Sequence, residues 1–300
     1  MIVVKSLTKK FDDDVILNGI NMNVKKGSIY GIIGPNGSGK TTLLNHLVGV
    51  YRQDSGEIVI NEKNIYDNAD QKQSMAYMQD EIYAYPQYTI KNMAGFYKEM
   101  YKSWDDDRYK KLKEIFDIDD KKRITKLSKG MKKQVAFCFA LSKTPEILIM
   151  DEPIDGLDPI ARRKLWNVVI DDVAKREMTV IISSHNLKEL ENMCDTILIL
   201  DKGKSVIERS IEDLTQDVHK IQYVLEKPEL EDELIGWLNV ISKEKMGTIS
   251  VIVVKGDWKG IEQKMNEYNP VVLDKLNLTL EEVFIHEMEG LGYAIKNQTI

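Results

Sequence analysis

Cysteine is nearly absent. Cys138 and Cys194 are the only two in 300 residues, far apart and with no CxxC neighbour. That excludes a disulfide scaffold and makes reduced, buried thiols the expectation. Long apolar runs are missing too, since no stretch approaches the ~18 residues that a membrane span needs. The opening text MIVVKSLTKKF alternates like a strand and lacks a basic region followed by an apolar core, so no signal peptide is read there. Nor is there a basic excess: 42 Lys and Arg stand against 48 Asp and Glu, a formal charge of −6. A nucleic-acid binder shows a basic excess or stripe. Here only short mixed blocks such as DDDRYKKLK and DDKKR occur, which read as solvated helix faces, so no nucleic-acid partner is expected. The absences leave a soluble, cytosolic chain of one large or two smaller domains.

What is present starts with GPNGSGKT, residues 34–41. It fits G-x-x-x-x-G-K-[ST], with Gly34, Gly39, Lys40 and Thr41 in the fixed places. Glycine tolerates positive φ and carries no Cβ, so the loop Gly34, Pro35, Asn36, Gly37, Ser38, Gly39 can turn its N–H groups inward. Such a nest, backed by a helix N-terminus that begins Lys40, Thr41, Thr42, cradles a polyphosphate. Lys40 reaches the β- and γ-phosphates, and the Thr41 hydroxyl can ligate Mg2+. The apolar run GSIYGIIG before the loop and TTLLNHLVGV after it supply the strand and helix that this motif requires.

Along the chain, residues 2–4, 15–24 and 28–33 read as β segments, and GEIVINEKNI as a hairpin-type strand. From about residue 85 to 143 the pattern turns helical, and Pro145 ends that run. Two buried-strand texts follow, EILIMD and TVIISSH, separated by an amphipathic helix. Strands alternating with helices predict a parallel, doubly wound sheet with ligands at the strand C-termini. Gly34, Asp151 and His185 each fall at such an end. After DTILILDKGKSVIE the character shifts, and residues about 216–300 hold two β texts, KIQYVLE and TISVIVVKG, each followed by a helical text.

ILIMDEP, 147–153, is an apolar strand that ends in two acids. Asp151 is placed to hold Mg2+, directly or through water. Glu152 points elsewhere, because neighbours in an extended chain alternate faces, and can accept a proton from an attacking water. With these texts in order, the chain resembles the nucleotide-binding subunit of an ABC transporter over residues 1–208. Phe11 lies 23 residues before Gly34, where the family stacks an aromatic on adenine. Gln79 in AYMQD fits the family's Q-loop glutamine, near Mg2+ and the membrane partner. LSKGM, 127–131, stands 24 residues before Asp151 in place of LSGGQ; GLDP, 156–159, matches the D-loop; His185 follows Asp151 by 34 residues as the switch histidine does.

The resemblance implies a P-loop NTPase α/β fold: a RecA-like core with a β subdomain and a helical insert at about 81–143, in an ATP-binding domain of residues 1–215. Residues 216–300 are expected to form a small C-terminal α/β accessory domain, with dimerisation as one role open to it. It implies an active Mg2+-dependent ATPase in which Ser128 and Gly130 cap the γ-phosphate held by a second copy, Asp158 links the two sites, and His185 orients water beside Glu152. Two subunits, identical or related, would then sandwich two ATPs and drive a separate integral-membrane subunit from the cytoplasmic face of a bacterial membrane. Lys129 and Met131 depart from the family text, but the serine and the following glycine remain. Aromatics in the 81–101 stretch, Tyr83, Tyr85 and Tyr88 among them, are expected both to pack the insert and to meet a partner. LTLEEVFIHEM, 278–288, resembles a tail of ABC-2 type exporter ATPases, a group that includes exporters of phenol-soluble modulin peptides. An importer ATPase and a soluble, non-transport ABC ATPase stand as alternatives.

Overall fold

The runs IYGII, ILIMD and TVIISS are buried along their whole length, as strands covered on both faces must be. They form the centre of the fold in a computed structural model of the chain, which describes residues 1–66, 68–80, 85–215, 218–279 and 282. The chain runs β1 (Ile2–Phe11), β2 (Asp14–Val24), β3 (Ile29–Ile33), α1 (Lys40–Leu47), β4 (Ser55–Ile60), β5 (Lys63–Asn64), α2 (Ala69–Gln73) and β6 (Met75–Met78). Next come α3 (Ile90–Met100), α4 (Asp106–Phe116), α5 (Lys129–Ser142), β7 (Ile147–Asp151), α6 (Pro159–Arg176), β8 (Thr179–Ser184), α7 (Leu187–Leu190), β9 (Thr196–Asp201) and β10 (Lys204–Ser210). Contacts divide the chain into two units, Met1–Arg209 and Ser210–Ile300.

In the first unit a six-stranded sheet has the order β10-β9-β3-β8-β7-β6, and neighbours from β9 to β6 run parallel. A second sheet, β2-β1-β4-β5, is antiparallel. Helix α1 joins the two: Leu43, Leu44 and Leu47 share one buried cluster with Ile2, Leu7, Ile20 and Ile58 of the antiparallel sheet and with Ile32, Ile149 and Ile181 of the parallel one. Burying these side chains fixes α1, and with it the loop that precedes it. The strand read at 2–4 extends to Phe11, because β1 keeps pairing with β2 through several register shifts.

The helical insert has its own core of Ile90, Met93, Tyr109, Val135 and Phe139, with Tyr88, Phe96, Tyr97 and Trp104 packed against it. Tyr97 stacks on Phe139 at 5.1 Å between ring centroids. Tyr85 is exposed and leans on Tyr88 and Phe96. Tyr83 lies outside the described residues. Both cysteines are buried and free, and no helix among the described residues is long and apolar enough to cross a membrane.

The second unit runs α8 (Ile211–Thr215), β11 (Val218–Leu225), α9 (Glu231–Trp237), β12 (Val240–Met246), β13 (Ile249–Lys255), α10 (Trp258–Asn266) and β14 (Pro270–Leu276). Its sheet, β12-β13-β11-β14, is antiparallel and packs Ile221, Tyr223 and Ile252 against Leu234, Ile261 and Met265 of the helices. Only β11 and β13 correspond to the two strand texts read from the sequence. Strands β12 and β14 are the edges, and charged, exposed positions hide their period. Of the tail text 278–288, only residues 278, 279 and 282 are described.

A buried carboxylate organises this unit. Burial alone would raise the Glu231 pKa, but hydrogen bonds from Ser250, Lys245, Tyr223 and Lys243 outweigh it and hold the carboxyl at about 2. The folded value lies below the ordinary 4.5, so the stabilisation is full above that value and is lost as pH falls toward about 2. The shift corresponds to about 3 kcal/mol, which screening at half-exposed Lys245 reduces to on the order of 1–2 kcal/mol. Glu231→Gln should therefore lower the hydrogen-exchange protection of β11 and β13 at pH 7 by that amount. The difference from wild type should narrow as pH falls through 4.

Candidate active site

The loop after β3 folds tightly for steric reasons. A Cβ on Gly34 would lie 2.2 Å from the Leu200 main-chain oxygen and 2.6 Å from Ser38 Oγ, so the loop can run against β9 only with glycine there. Gly39 has φ 103°, and a Cβ on it would meet Leu17 at 2.8 Å. The Ser38 N–H donates to the Pro35 carbonyl at 3.2 Å, and the Gly203 N–H donates to the Ser38 carbonyl at 3.1 Å. Pro35, Asn36 and Gly37 face solvent, while Ser38 and Lys40 are buried.

Register then brings the other strand ends to this loop. Ile33 pairs with Ser184, and Asp151 pairs with Ser183. Lys40 Nζ donates to the carbonyls of Gly34 at 2.8 Å and Pro35 at 3.3 Å, and lies 3.3 Å from Glu152 Oε1. The Thr41 hydroxyl donates to Asp151 Oδ2 at 2.6 Å. Glu152 Oε2 is 2.9 Å from His185 Nδ1. Lys40, Thr41, Asp151, Glu152 and His185 thus meet at the C-terminal ends of β3, β7 and β8.

Ser183 is a residue that motif reading passes over. Its hydroxyl donates to Asp151 Oδ1 and accepts the Glu152 N–H at 3.0 Å, so one side chain orients both acids. The only sequence signal is a pair of serines interrupting an apolar strand. Among the described residues, no group of three or more His, Cys, Asp or Glu gathers to hold a metal. The hard-oxygen pair Thr41 and Asp151 nevertheless suits Mg2+, which takes few protein ligands and completes its shell with phosphate and water.

Phe11, Gln79, Ser128, Gly130 and Asp158 sit on other elements, and no side-chain bond among the described residues joins them to Lys40, Thr41, Asp151, Glu152 or His185. Phe11, at the end of β1, is 40% exposed and meets Tyr51 edge-on at 5.3 Å. Tyr51 in turn contacts His46 of α1 at 5.7 Å, and the His46 ring bonds the Thr42 carbonyl at 2.7 Å. An exposed aromatic pair is thereby anchored to the helix that starts at the loop. Gln79 stands one residue past β6, exposed, and its side chain makes no hydrogen bond to another described residue. Ser128 caps α5, its Oγ accepting the Met131 N–H at 3.2 Å, and is itself exposed. A Cβ on Gly130 would sit 2.5 Å from the Gly156 carbonyl oxygen, so glycine is needed where α5 touches the loop after β7. Asp158 caps α6, accepting the N–H groups of Ile160 and Ala161 at 2.9 Å each. Lys129 pairs with Asp155 at 2.6 Å.

Comparison with known proteins places this geometry. The family model described as ABC transporter matches residues 17–155. The chain is 28% identical over 290 residues to the ABC transporter ATP-binding protein YtrB of Bacillus subtilis (strain 168), covering 97% of this chain and 99% of that protein. It is 33% identical over 212 residues to the linearmycin resistance ATP-binding protein LnrL of the same organism, covering 69% and 68%. A solved structure of an ATP binding subunit of an ABC transporter superposes with a TM-score of 0.65 at 26% identity, covering 71% of this chain and 91% of that one. The chain belongs to the ABC transporter ATP-binding proteins, a P-loop NTPase family that hydrolyses ATP to power transport.

Proposed function

We propose that this chain is the Mg2+-dependent ATPase of an exporter and that its site residues divide the work as follows. The loop Gly34–Gly39 and Thr42 bind the phosphates through main-chain N–H groups, and Phe11 offers its face to adenine. Lys40 neutralises the β- and γ-phosphates. Thr41 and Asp151 would hold Mg2+, with Gln79 as a further ligand, and the ion would supply positive charge against that of the transferring phosphoryl group. Glu152 accepts the proton of the attacking water, and His185, already bonded to it, holds the γ-phosphate and that water in line. The observation that carries this reading is the meeting of Lys40, Thr41, Asp151, Glu152 and His185 at three adjacent strand ends.

Ser128 and Gly130 at the start of α5 would close on the γ-phosphate of a second copy, with Asp158 beside that interface. The membrane subunit would dock in a cavity of about 350 Å³ lined by Tyr77, Gln79, Tyr97, Tyr101 and Lys143, between the sheet edge and the insert. The complex would then sit on the cytoplasmic face of a membrane. Likeness to LnrL, a linearmycin resistance protein, favours an amphipathic or antimicrobial cargo, the phenol-soluble modulin peptides being one such class. The test is phosphate release by the purified chain. Release should follow Mg2+ and stop when EDTA removes it. Release that persists in EDTA would remove Thr41 and Asp151 from their assigned roles.

A further inference from the structure

Lys133, on the second turn of α5, is an unusual lysine. Its side chain is only 1% exposed. Its ammonium donates to the main-chain carbonyl of Glu152 and lies 2.7 Å from Asp80 Oδ1. Neither partner belongs to the helical insert's own core. A lysine buried this deeply costs desolvation, and a nearby carboxylate offsets that cost. Glu152 has φ 47°, a left-handed conformation that side-chain-bearing residues avoid. Such a conformation persists where its surroundings over-determine it. They do so here, since the Glu152 N–H is held by Ser183 of β8 and its carbonyl by Lys133 of α5. Both main-chain polar groups of this residue are clamped by side chains from separate elements.

We propose that Lys133 is a positioning residue for Glu152. It pins the carbonyl of the strained residue, so that the carboxylate projects toward Lys40 and His185 and meets the attacking water in one orientation. Asp80 keeps the ammonium aimed. The inference rests on the reading of Glu152 as the general base.

Lys133→Met keeps the apolar stem and removes the ammonium. Phosphate release at saturating Mg-ATP should fall about 10- to 100-fold, the loss expected when a catalytic group is displaced by about an ångström. Equilibrium binding of ATP should stay within about twofold, because no phosphate contact is removed. Lys133→Arg should recover part of the rate. Asp80→Asn, which leaves the lysine in place without its counter-charge, should show a smaller loss of the same kind and decides the matter if Lys133→Met does not fold. Added to Glu152→Gln, Lys133→Met should change the residual rate by less than about twofold, since a residue acting through Glu152 has nothing left to act on. Wild-type turnover in both Lys133→Met and Asp80→Asn, or a further tenfold or so loss in the Glu152→Gln background, overturns the proposal. If Glu152→Gln itself turns over normally, the assignment of the base has failed; if it is inert while the Lys133 and Asp80 variants are unimpaired, only this inference has.

Discussion

Glu152→Gln should lower phosphate release about 100- to 10,000-fold at saturating Mg-ATP, the range spanned by loss of a general base. The amide has the shape of the carboxylate but does not take a proton from water at neutral pH. Its two contacts fare differently. One end of the amide can still bond the His185 ring, 2.9 Å from the wild-type carboxylate, whereas the end facing Lys40 across 3.3 Å carries no negative charge. Lys40 keeps its bonds to the Gly34 and Pro35 carbonyls and loses its counter-charge. Nucleotide therefore competes with one anion fewer, and ATP affinity should be unchanged or higher. With cleavage blocked, the closed pair of subunits should accumulate. Size-exclusion chromatography of the variant in Mg-ATP should show a dimer that is absent without nucleotide. A monomer at saturation contradicts the sandwich, and undiminished turnover contradicts the role of Glu152.

Lys40→Ala should abolish most nucleotide affinity. The ammonium is buried and brings three N–H donors to one spot. Two of them already serve the Gly34 and Pro35 carbonyls, and the third faces Glu152. Truncation removes the cation that a triphosphate needs and also the tie that holds the loop closed on itself. Removing one partner of a buried charge pair costs about 2–5 kcal/mol, or roughly a 30- to several-thousand-fold rise in Kd. Titration calorimetry with ATP in EDTA isolates this term from the metal. Arginine should not rescue, because its planar fork does not fit a space shaped for a point donor. Affinity retained in Lys40→Ala would mean that phosphate is held elsewhere.

The loop from Gly34 to Thr41 is legible in sequence because each place is sterically or chemically restricted. Gly34 abuts the Leu200 carbonyl and Gly39 has positive φ, so few residues serve. Asp151 and His185 are legible for a related reason: polar residues terminate runs that are otherwise wholly buried. Lys133 is not. It stands in KGMKKQ beside Lys129 and Lys132, and only the packing of α5 against the end of β7 distinguishes the buried one. Tyr51 is silent for the same reason, since its contact with Phe11 joins parts of the chain forty residues apart. The edge strands β12 and β14 escape because pairing, not periodicity, makes them strands. Short-range restriction is visible in a sequence, while long-range approach is not.

The contact of Gly130 with the Gly156 carbonyl has a mechanical corollary. Two stretches of main chain touch there with no side chain between them, and the Lys129 to Asp155 ion pair rivets them alongside. A side chain at position 130 would pry the two segments apart, so the start of α5, capped by Ser128, and the segment that leads to Asp158 at the cap of α6 depend on glycine there for their close approach.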